Sequence, residues 1–216
     1  MAAGPSRRFF DAWSTVYDFP LVQRATYQPI HAAVRQALAA EPCARVLDVG
    51  CGTGRLAARL AVEPCTRMVV GCDFSAGMLA HAAGRLRGAR GKAALVRGDG
   101  TRLPFADGAF DAAVSTEAFH WFPDQEAALR DLHRVLRPGG RLLLALVSPP
   151  FEIVADAVAL GMRLVGQPLR WTTPSTLAAQ VRAAGFRVER QCRVFRIPGF
   201  LLPPTLTVAR RSARDE

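Results

Sequence analysis

The stretch from Val46 to Gly54 constrains the fold of this chain more than any other. It reads Val-Leu-Asp-Val-Gly-Cys-Gly-Thr-Gly. Its apolar, mostly β-branched start is typical of a strand buried in a parallel sheet, and its glycines let the backbone turn and approach a ligand closely. We therefore predict a buried strand, a glycine turn, and a helix over 55–61 whose N-terminal amides point at the same place.

Two kinds of nucleotide-type site compete for this loop. A dinucleotide site requires the spacing Gly-x-Gly-x-x-Gly, whereas this loop has Gly-x-Gly-x-Gly, with Arg55 at the position of the third dinucleotide glycine. The carboxylate of Asp48 beside the loop would repel a pyrophosphate, but it suits a ligand that carries an ammonium group or hydroxyls. The loop therefore disfavours NAD and favours a ligand without phosphate.

Strands and helices alternate along most of the chain. This alternation predicts right-handed βαβ units around a parallel sheet, and therefore a Rossmann-like, doubly wound α/β fold. The last two strands are joined by a Pro- and Gly-containing loop without a helix, so we expect a C-terminal antiparallel hairpin. Strands are predicted at 46–49, 68–73, 94–98, 111–115, 141–147, 186–197 and 205–210.

The chain is predicted to be a single domain over residues 1–216. Residues 1–44 form an N-terminal lid and helix, 45–147 form the ligand-binding core, and 148–216 form an acceptor-side segment with the last strands. Within the core, Pro138-Gly139-Gly140 is expected to end a helix that Asp124 caps, and 149–172 is expected to be a variable segment.

Polar residues or a glycine turn stand where four of the first strands end. They are Gly50, Asp73, Asp99 and the run Ser115-Thr116-Glu117. Each of them alone is also compatible with a helix cap or a surface loop. Because ligands of doubly wound sheets bind outside the carboxyl ends of the strands, their order along the chain indicates one site.

Asp73 follows the glycine loop by about twenty residues. Its carboxylate can accept hydrogen bonds from both hydroxyls of a ribose. Phe74 can lie against one face of an adenine, and Met78 on the next helix against the other face. Met78 is equally compatible with a place in the core.

Asp99 is expected at the adenine end of the same site. Its carboxylate can accept a hydrogen bond from the adenine amino group. The backbone amide of Gly100 or of Thr101 can then donate to a ring nitrogen.

Several motifs occur in the order of a known family. Taken together with Val46–Gly54, these motifs resemble those of class I S-adenosylmethionine (SAM) methyltransferases. Within that class the chain is similar to the small-molecule group that includes ubiquinone/menaquinone biosynthesis methyltransferases. The resemblance covers about residues 45–147 and implies a seven-stranded sheet, a SAM cofactor and methyl transfer to O, N or C. The other matching motifs are Asp73-Phe74-Ser75, Gly98-Asp99-Gly100, Leu103-Pro104-Phe105, Phe110-Asp111, His120-Trp121-Phe122 and Arg134–Gly140.

The same resemblance assigns further residues to the cofactor. Thr116 and Glu117 lie where the fourth strand delivers backbone groups to the methionine end of SAM. Tyr17, in the pair Tyr17-Asp18, lies where this family has a Tyr-Asp pair that helps to close the site. The loop residues assigned to SAM are Asp48, Gly50, Cys51, Gly52, Thr53 and Gly54.

His120 follows the fourth strand by a few residues, so we expect it near the reacting end of SAM. An imidazole with its ordinary pKa near 6.5 can take a proton from an acceptor at neutral pH. A second interpretation is that His120 only hydrogen-bonds the backbone and shapes the pocket wall beside Trp121. Both interpretations remain open, because methyl transfer does not always require a base.

The basic composition raises a nucleic-acid alternative. The formal net charge is +10, and 27 of the 28 basic residues are Arg, but they are spread along the chain. Such a spread indicates codon composition more than a binding surface, so we expect no specific nucleic-acid partner.

The cysteines and the apolar runs bear on metal binding, on the compartment and on membrane insertion. The five cysteines include no Cys-x-x-Cys pair, which favours a reducing compartment and argues against a metal site. The chain has no run of 18 apolar residues and no signal-peptide pattern, so we predict a cytoplasmic protein without a transmembrane segment. Its oligomeric state is not predicted.

The sequence therefore predicts a SAM-dependent methyltransferase of a small acceptor. The largely apolar segment 148–172 indicates a hydrophobic acceptor. A SAM-binding protein without turnover is the first alternative, and an RNA methyltransferase, favoured only by the charge, is the second.

Overall fold

Strands and helices alternate along the folded chain. The structure, a computed structural model, describes residues 27–41, 43–89, 91–164, 169–194 and 204–212. Its strands are β1 Arg45–Val49, β2 Met68–Asp73, β3 Ala93–Arg97, β4 Phe110–Thr116, β5 Leu136–Val147, β6 Phe186–Arg193 and β7 Pro204–Arg211. Its helices are α1 Gln28–Ala39, α2 Arg55–Ala61, α3 Ala76–Arg85, α4 Gln125–Val135, α5 Glu152–Leu164 and α6 Pro174–Ala183, with 3₁₀ turns at Arg87–Ala89 and Phe119–Trp121.

All seven strands lie in one sheet, in the order β3-β2-β1-β4-β5-β7-β6. Strands β1 to β5 pair in parallel, and β7 runs antiparallel to both β5 and β6. The strand order reverses beside β1, so the carboxyl ends of β1 and β4 border the crevice in which such sheets bind ligands. The predicted mostly parallel, seven-stranded α/β fold with an antiparallel C-terminal pair is confirmed.

The sheet separates two apolar clusters. Because successive strand residues point to opposite faces, Leu142 and Leu144 of β5 lie in one cluster and Leu143 lies in the other. Leu129 and Leu177 bring α4 and α6 onto the first face. On the second face, α1 and α2 cover the sheet with Ile30, Val34, Leu56 and Leu60.

One strand begins earlier than the sequence predicts, and a segment for which no regular structure was predicted contains a helix. Strand β5 begins at Leu136, which pairs with Phe110, so it starts before the Pro138-Gly139-Gly140 turn that was expected to precede it. The reason is that a residue before proline favours extended backbone. The segment 149–172, expected to be variable, contains α5, whose Glu152 carboxylate accepts hydrogen bonds from the hydroxyls of Thr173 and Thr176.

A buried arginine attaches α1 to the sheet. Arg141 of β5 has 4% of its surface exposed. Its guanidinium donates to the carbonyl oxygens of Ala37 at 2.9 Å and Leu38 at 3.1 Å, and also to that of Glu41. The last carbonyls of a helix lack intrahelical partners, so this contact satisfies the end of α1 and orients the helix beside the site.

Replacing this arginine tests how far α1 depends on it. In Arg141→Leu the buried carbonyl groups lose their donor, and we expect the free energy of unfolding to fall by about 2–4 kcal/mol. Urea denaturation measures this change. Arg130→Leu is the control, because the exposed Arg130 lies 3.8 Å from Glu126, and such a surface pair contributes about 0–1 kcal/mol. Equal losses in the two variants would contradict the role of Arg141.

Candidate active site

The glycine loop after β1 has the backbone that its sequence predicts. Gly50, Gly52 and Gly54 have φ values of 70°, 53° and 74°, in the left-handed region that strains other residues. A Cβ atom on Gly50 would lie 2.3 Å from the Cβ of Ala118. Gly50 is therefore needed both for the turn and for the close packing of the segment that follows β4.

The amides of this loop are held by the end of β2. The amides of Gly50 and Cys51 donate to the carbonyl oxygen of Cys72 at 2.8 and 3.2 Å. The amide of Gly52 donates to Oδ2 of Asp73 at 2.8 Å, and Oδ1 of Asp73 accepts from the amide of Ser75 at 2.9 Å. Asp73 thus lies against the loop, and its predicted contact with ribose hydroxyls remains a prediction. A carboxylate offers about four acceptor positions, so holding the loop is compatible with binding ribose hydroxyls.

Asp48, the last polar residue of β1, is buried with 1% of its surface exposed. Neither of its carboxylate oxygens has a hydrogen-bond partner among the described residues. Burial raises the pKa of Asp48 to about 7, the negative charge of Asp73 adds to the rise, and the backbone amide of Ala57 offsets part of it. The described residues therefore compensate the buried carboxylate of Asp48 only weakly, through the backbone of Ala57.

SAM, the cofactor that the resemblance implies, supplies the donors and the positive charge that a buried carboxylate such as Asp48 requires. It carries two ribose hydroxyls, an ammonium group and a positive sulfonium, whereas NAD would bring a pyrophosphate next to Asp48 and Asp73. A buried carboxylate is stable only when it is paired or protonated. The donor requirement of the site therefore fits SAM.

A small pocket lies beside the loop. His31 of α1 lines it, although the sequence did not identify this residue as part of the site. Its Nδ1 lies 3.3 Å from a guanidinium nitrogen of Arg59. Burial, followed by the charges of Arg59 and Arg55, lowers the pKa of His31 to about 3, so the ring is neutral. The other lining residues are Gly50, Cys51, Thr53, Arg55, Leu56 and Thr116.

The described structure also places the residues predicted at the adenine end. Oδ1 of Asp99 accepts from both the amide and the hydroxyl of Thr101 at 2.8 Å, so the Thr101 amide is engaged inside the protein. A Cβ atom on Gly100 would lie 2.6 Å from the ring of Phe122. Phe122, which sequence reasoning placed only within a motif, therefore packs directly on the predicted adenine loop.

Phe74 and Met78 follow β2 as predicted. Met78 has 3% of its surface exposed, and its amide donates to the N-cap hydroxyl of Ser75 at 3.1 Å. This burial favours the core interpretation of Met78. Phe74 is half-buried, and its carbonyl accepts from Nε of Arg97 at 3.2 Å. Contacts of both residues with adenine remain predictions.

The end of β4 contributes Thr116 to the pocket, whereas Glu117 joins two strands. Oε1 of Glu117 accepts from the amide of Val147 at 2.7 Å, and the amide of Glu117 donates to the carbonyl oxygen of Ala145 at 2.9 Å. Burial raises the pKa of Glu117 to about 8, so its carboxyl is mostly protonated at pH 7. The predicted contacts of Thr116 and Glu117 with the methionine end of SAM remain predictions.

His120 lies in the 3₁₀ turn after β4 and has 6% of its surface exposed. Burial lowers its pKa to about 3, well below the ordinary value on which the predicted role as a base rests. The base role remains a prediction, and this burial favours the second interpretation, a neutral ring in the pocket wall. Tyr17, predicted to help close the site, lies outside the described residues.

The described residues contain neither a metal site nor a membrane span. They include no group of three or more His, Cys, Asp or Glu side chains arranged to hold a metal ion. Within the same part of the chain, every helix is too short or too polar to cross a bilayer.

Comparison with known proteins agrees with this geometry. A family model described as a methyltransferase domain matches residues 47–144. The demethylmenaquinone methyltransferase of Deinococcus radiodurans is 34% identical over 188 residues, which cover 78% of each chain. That of Corynebacterium kroppenstedtii is 45% identical over 118 residues, which cover 55% of this chain and 48% of the relative. The chain thus spans about half the length of some curated relatives and about three quarters of others.

Solved structures share the fold. The 1,6-didemethyltoxoflavin-N1-methyltransferase of Burkholderia thailandensis, crystallised with 1,6-didemethyltoxoflavin and S-adenosylhomocysteine, has a TM-score of 0.73 and 23% identity, covering 95% of this chain and 87% of that one. The [4+2]-cyclase SpnF has a TM-score of 0.70 and 23% identity, covering 85% of this chain and 81% of that one.

The loop, the strand-end carboxylates and the extended identity to the Deinococcus enzyme lead to one conclusion. The chain belongs to the class I SAM-dependent methyltransferases, in the group similar to quinone biosynthesis enzymes.

Proposed function

We propose that this protein transfers the methyl group of SAM to a small hydrophobic acceptor of the quinone type. The assignment of SAM as the cofactor rests on Asp48, which lies beside Asp73 and the glycine loop. Its carboxylate is buried and has no hydrogen-bond partner among the described residues. A cationic ligand rich in donors relieves both the desolvation and the repulsion of these carboxylates.

The acceptor half of the proposal rests on apolar surface and on relatives. Several large apolar side chains of α5 and the residue before it are 61–82% exposed: Phe151, Ile153, Leu160 and Leu164. Such a patch is typical of a surface that contacts an apolar ligand or partner. The curated relatives are named demethylmenaquinone methyltransferases, which supports an aromatic acceptor with an apolar side chain.

The described residues act by positioning and by excluding water. When bound, SAM supplies an electrophilic methyl group that a nucleophile can displace directly. The Gly52 amide holds Asp73, whose carboxylate would orient the ribose. Ala118 packs against Gly50 and Phe122 packs against Gly100, so both loops are covered. Alignment of nucleophile and methyl group accounts for most of the rate in such a displacement, so a strong base is needed only for an acceptor of high pKa.

We further propose a cytoplasmic setting without a nucleic-acid partner. All five cysteines are unpaired in the structure, which supports the cytoplasm as the compartment. The dispersed Arg residues support only weak, salt-sensitive contact with nucleic acid.

A methyl-transfer screen tests this function. With SAM labelled on the methyl group, we expect label to enter reduced demethylmenaquinone, and not a fatty acid or tRNA. Calorimetry should show binding of SAM and S-adenosylhomocysteine, and none of NAD. SAM binding without transfer to any acceptor would instead indicate a non-catalytic SAM-binding protein, and selective labelling of tRNA would indicate an RNA methyltransferase.

Asp73→Ala tests the ribose site. We expect SAM affinity to fall by about 2–4 kcal/mol, because two charge-assisted hydrogen bonds are lost together with the anchor of Gly52. Titration calorimetry measures the affinity, and circular dichroism checks the fold. Asp107→Ala is the matched control, because the Asp107 side chain is 79% exposed and pairs with Arg134 away from the loop. A SAM dissociation constant that stays the same in Asp73→Ala would restrict Asp73 to holding the amides of Gly52 and Ser75.

The raised pKa of Asp48, about 7, predicts a pH dependence of SAM binding. At pH 6 the free protein holds a proton on Asp48 that a cationic ligand must displace, whereas at pH 8 the carboxylate is already ionised. SAM affinity should therefore rise about tenfold between pH 6 and pH 8, with proton release on binding at the lower pH. Calorimetry in buffers of different ionisation enthalpy measures both quantities. The same dependence in Asp48→Asn would assign the titration to another group.

A further inference from the structure

Two buried polar atoms without partners lie close together outside the cofactor residues. Within the described part of the chain, neither Nδ1 of His120 nor Nε1 of Trp171 makes a hydrogen bond, although both atoms are inaccessible to solvent. The two rings meet edge to face, with centroids 6.4 Å apart and planes at 86°. A buried indole nitrogen usually has a hydrogen-bond partner, so two adjacent ring nitrogens without partners are unusual in a well-packed core.

The backbone around these rings is, in contrast, well bonded. The amide of Arg170 donates to the carbonyl oxygen of His120 at 2.8 Å. Nε2 of Gln125 donates to the carbonyl oxygens of Arg170 at 2.9 Å and of Phe119 at 3.3 Å. Gln125 is 4% exposed, so this clamp is itself buried. The two segments are held together by hydrogen bonds, whereas Nδ1 of His120 and Nε1 of Trp171 have no partner among the described residues.

Sequence neighbours of the two rings contact the cofactor loop and α5. His120 is two residues after Ala118, which packs on Gly50 of the cofactor loop. Trp171 is two residues before Thr173, whose hydroxyl donates to Glu152 at the start of α5. The two rings are therefore carried by segments that contact the cofactor loop on one side and the start of α5 on the other.

We propose that His120 and Trp171 form the polar end of the acceptor site and recognise a hydroxyl group on an aromatic ring. This inference rests on the proposed function and specifies its substrate class. The Trp171 N–H donates to the hydroxyl oxygen, and Nδ1 of His120 accepts the hydroxyl hydrogen. The apolar remainder of the acceptor extends toward α5.

The chemistry of the pair selects a neutral phenolic group over a carboxylate. An indole N–H can only donate, and a neutral imidazole offers one donor and one acceptor nitrogen, so a hydroxyl satisfies both rings. The low pKa of His120 keeps its ring neutral, which agrees with this assignment. A carboxylate would give up its hydration here to two uncharged rings, and that desolvation disfavours fatty acids.

Binding of a defined probe tests the proposal. The probe is reduced demethylmenaquinone with one isoprene unit, and the comparison compound is its naphthalene analogue without the two hydroxyls. Both are titrated in the presence of S-adenosylhomocysteine, so that the readout is affinity and not turnover. We expect Trp171→Phe, which keeps a ring but removes the N–H, to weaken probe binding about 5- to 30-fold and to leave the analogue unchanged.

His120 variants separate recognition from base catalysis. His120→Gln retains a hydrogen-bonding group that does not titrate, so recognition predicts probe affinity and turnover within about fivefold of the wild type, whereas His120→Ala loses both. A base role predicts that turnover falls about 10²–10⁴-fold in both variants. His133→Gln is the matched control, because His133 packs on Phe186 near the opposite end of the strands.

Wild-type affinity for the probe in Trp171→Phe would overturn the proposal, as would a wild-type protein without measurable affinity for the probe. A collapse of turnover in His120→Gln as deep as in His120→Ala would reject its recognition role. Failure of the proposed methyltransferase function can be told apart from failure of this recognition role. The first appears as absence of SAM binding or of methyl transfer, and the second appears in probe affinity, which is measured separately. SAM affinity close to that of the wild type in each variant shows that the fold is retained.

Discussion

The attachment of the glycine loop to the end of β2 is the contact on which the rest of the site depends. The Cys72 carbonyl and the Asp73 carboxylate together accept hydrogen bonds from the amides of Gly50, Cys51 and Gly52. With its amides engaged, the loop keeps one shape, and Ala118 can pack directly against Gly50. The segment after β4, and with it His120, takes its position from that packing.

The protein itself offers little compensation to the buried carboxylate of Asp48. Asp48 is buried next to the loop, and the nearby Asp73 contributes to the rise of its pKa. Two carboxylates in this arrangement cost stability in the absence of a ligand, because desolvation and mutual repulsion both act against the charged forms. Functional sites commonly contain such destabilising groups. Here the groups are carboxylates, so this Rossmann-like sheet suits the cationic SAM and disfavours a dinucleotide, which carries a pyrophosphate.

Much of the fold was predictable because its signals are local. The glycine spacing, the caps at Ser75 and Asp124 and the apolar strands act through neighbouring residues, and the structure contains each of them. The start of β5 was predicted too late because Leu136 pairs with Phe110, which lies 26 positions earlier in the sequence. His31 was missed for a similar reason: only the fold brings α1 to the loop, and the one available signal was its place on the apolar face with Val34.

The sequence by itself determined the order of the strands along the chain, the geometry of the cofactor loop and the presence of acidic residues where strands end, since these follow from backbone preference and periodicity. Only the tertiary structure decided the chemical state of the side chains. The pKa of Asp48 rises to about 7 and that of His120 falls to about 3 because residues distant in sequence remove water from them. The meeting of His120 with Trp171 likewise exists only in the folded chain, where the Arg170 amide joins two segments that are 50 residues apart.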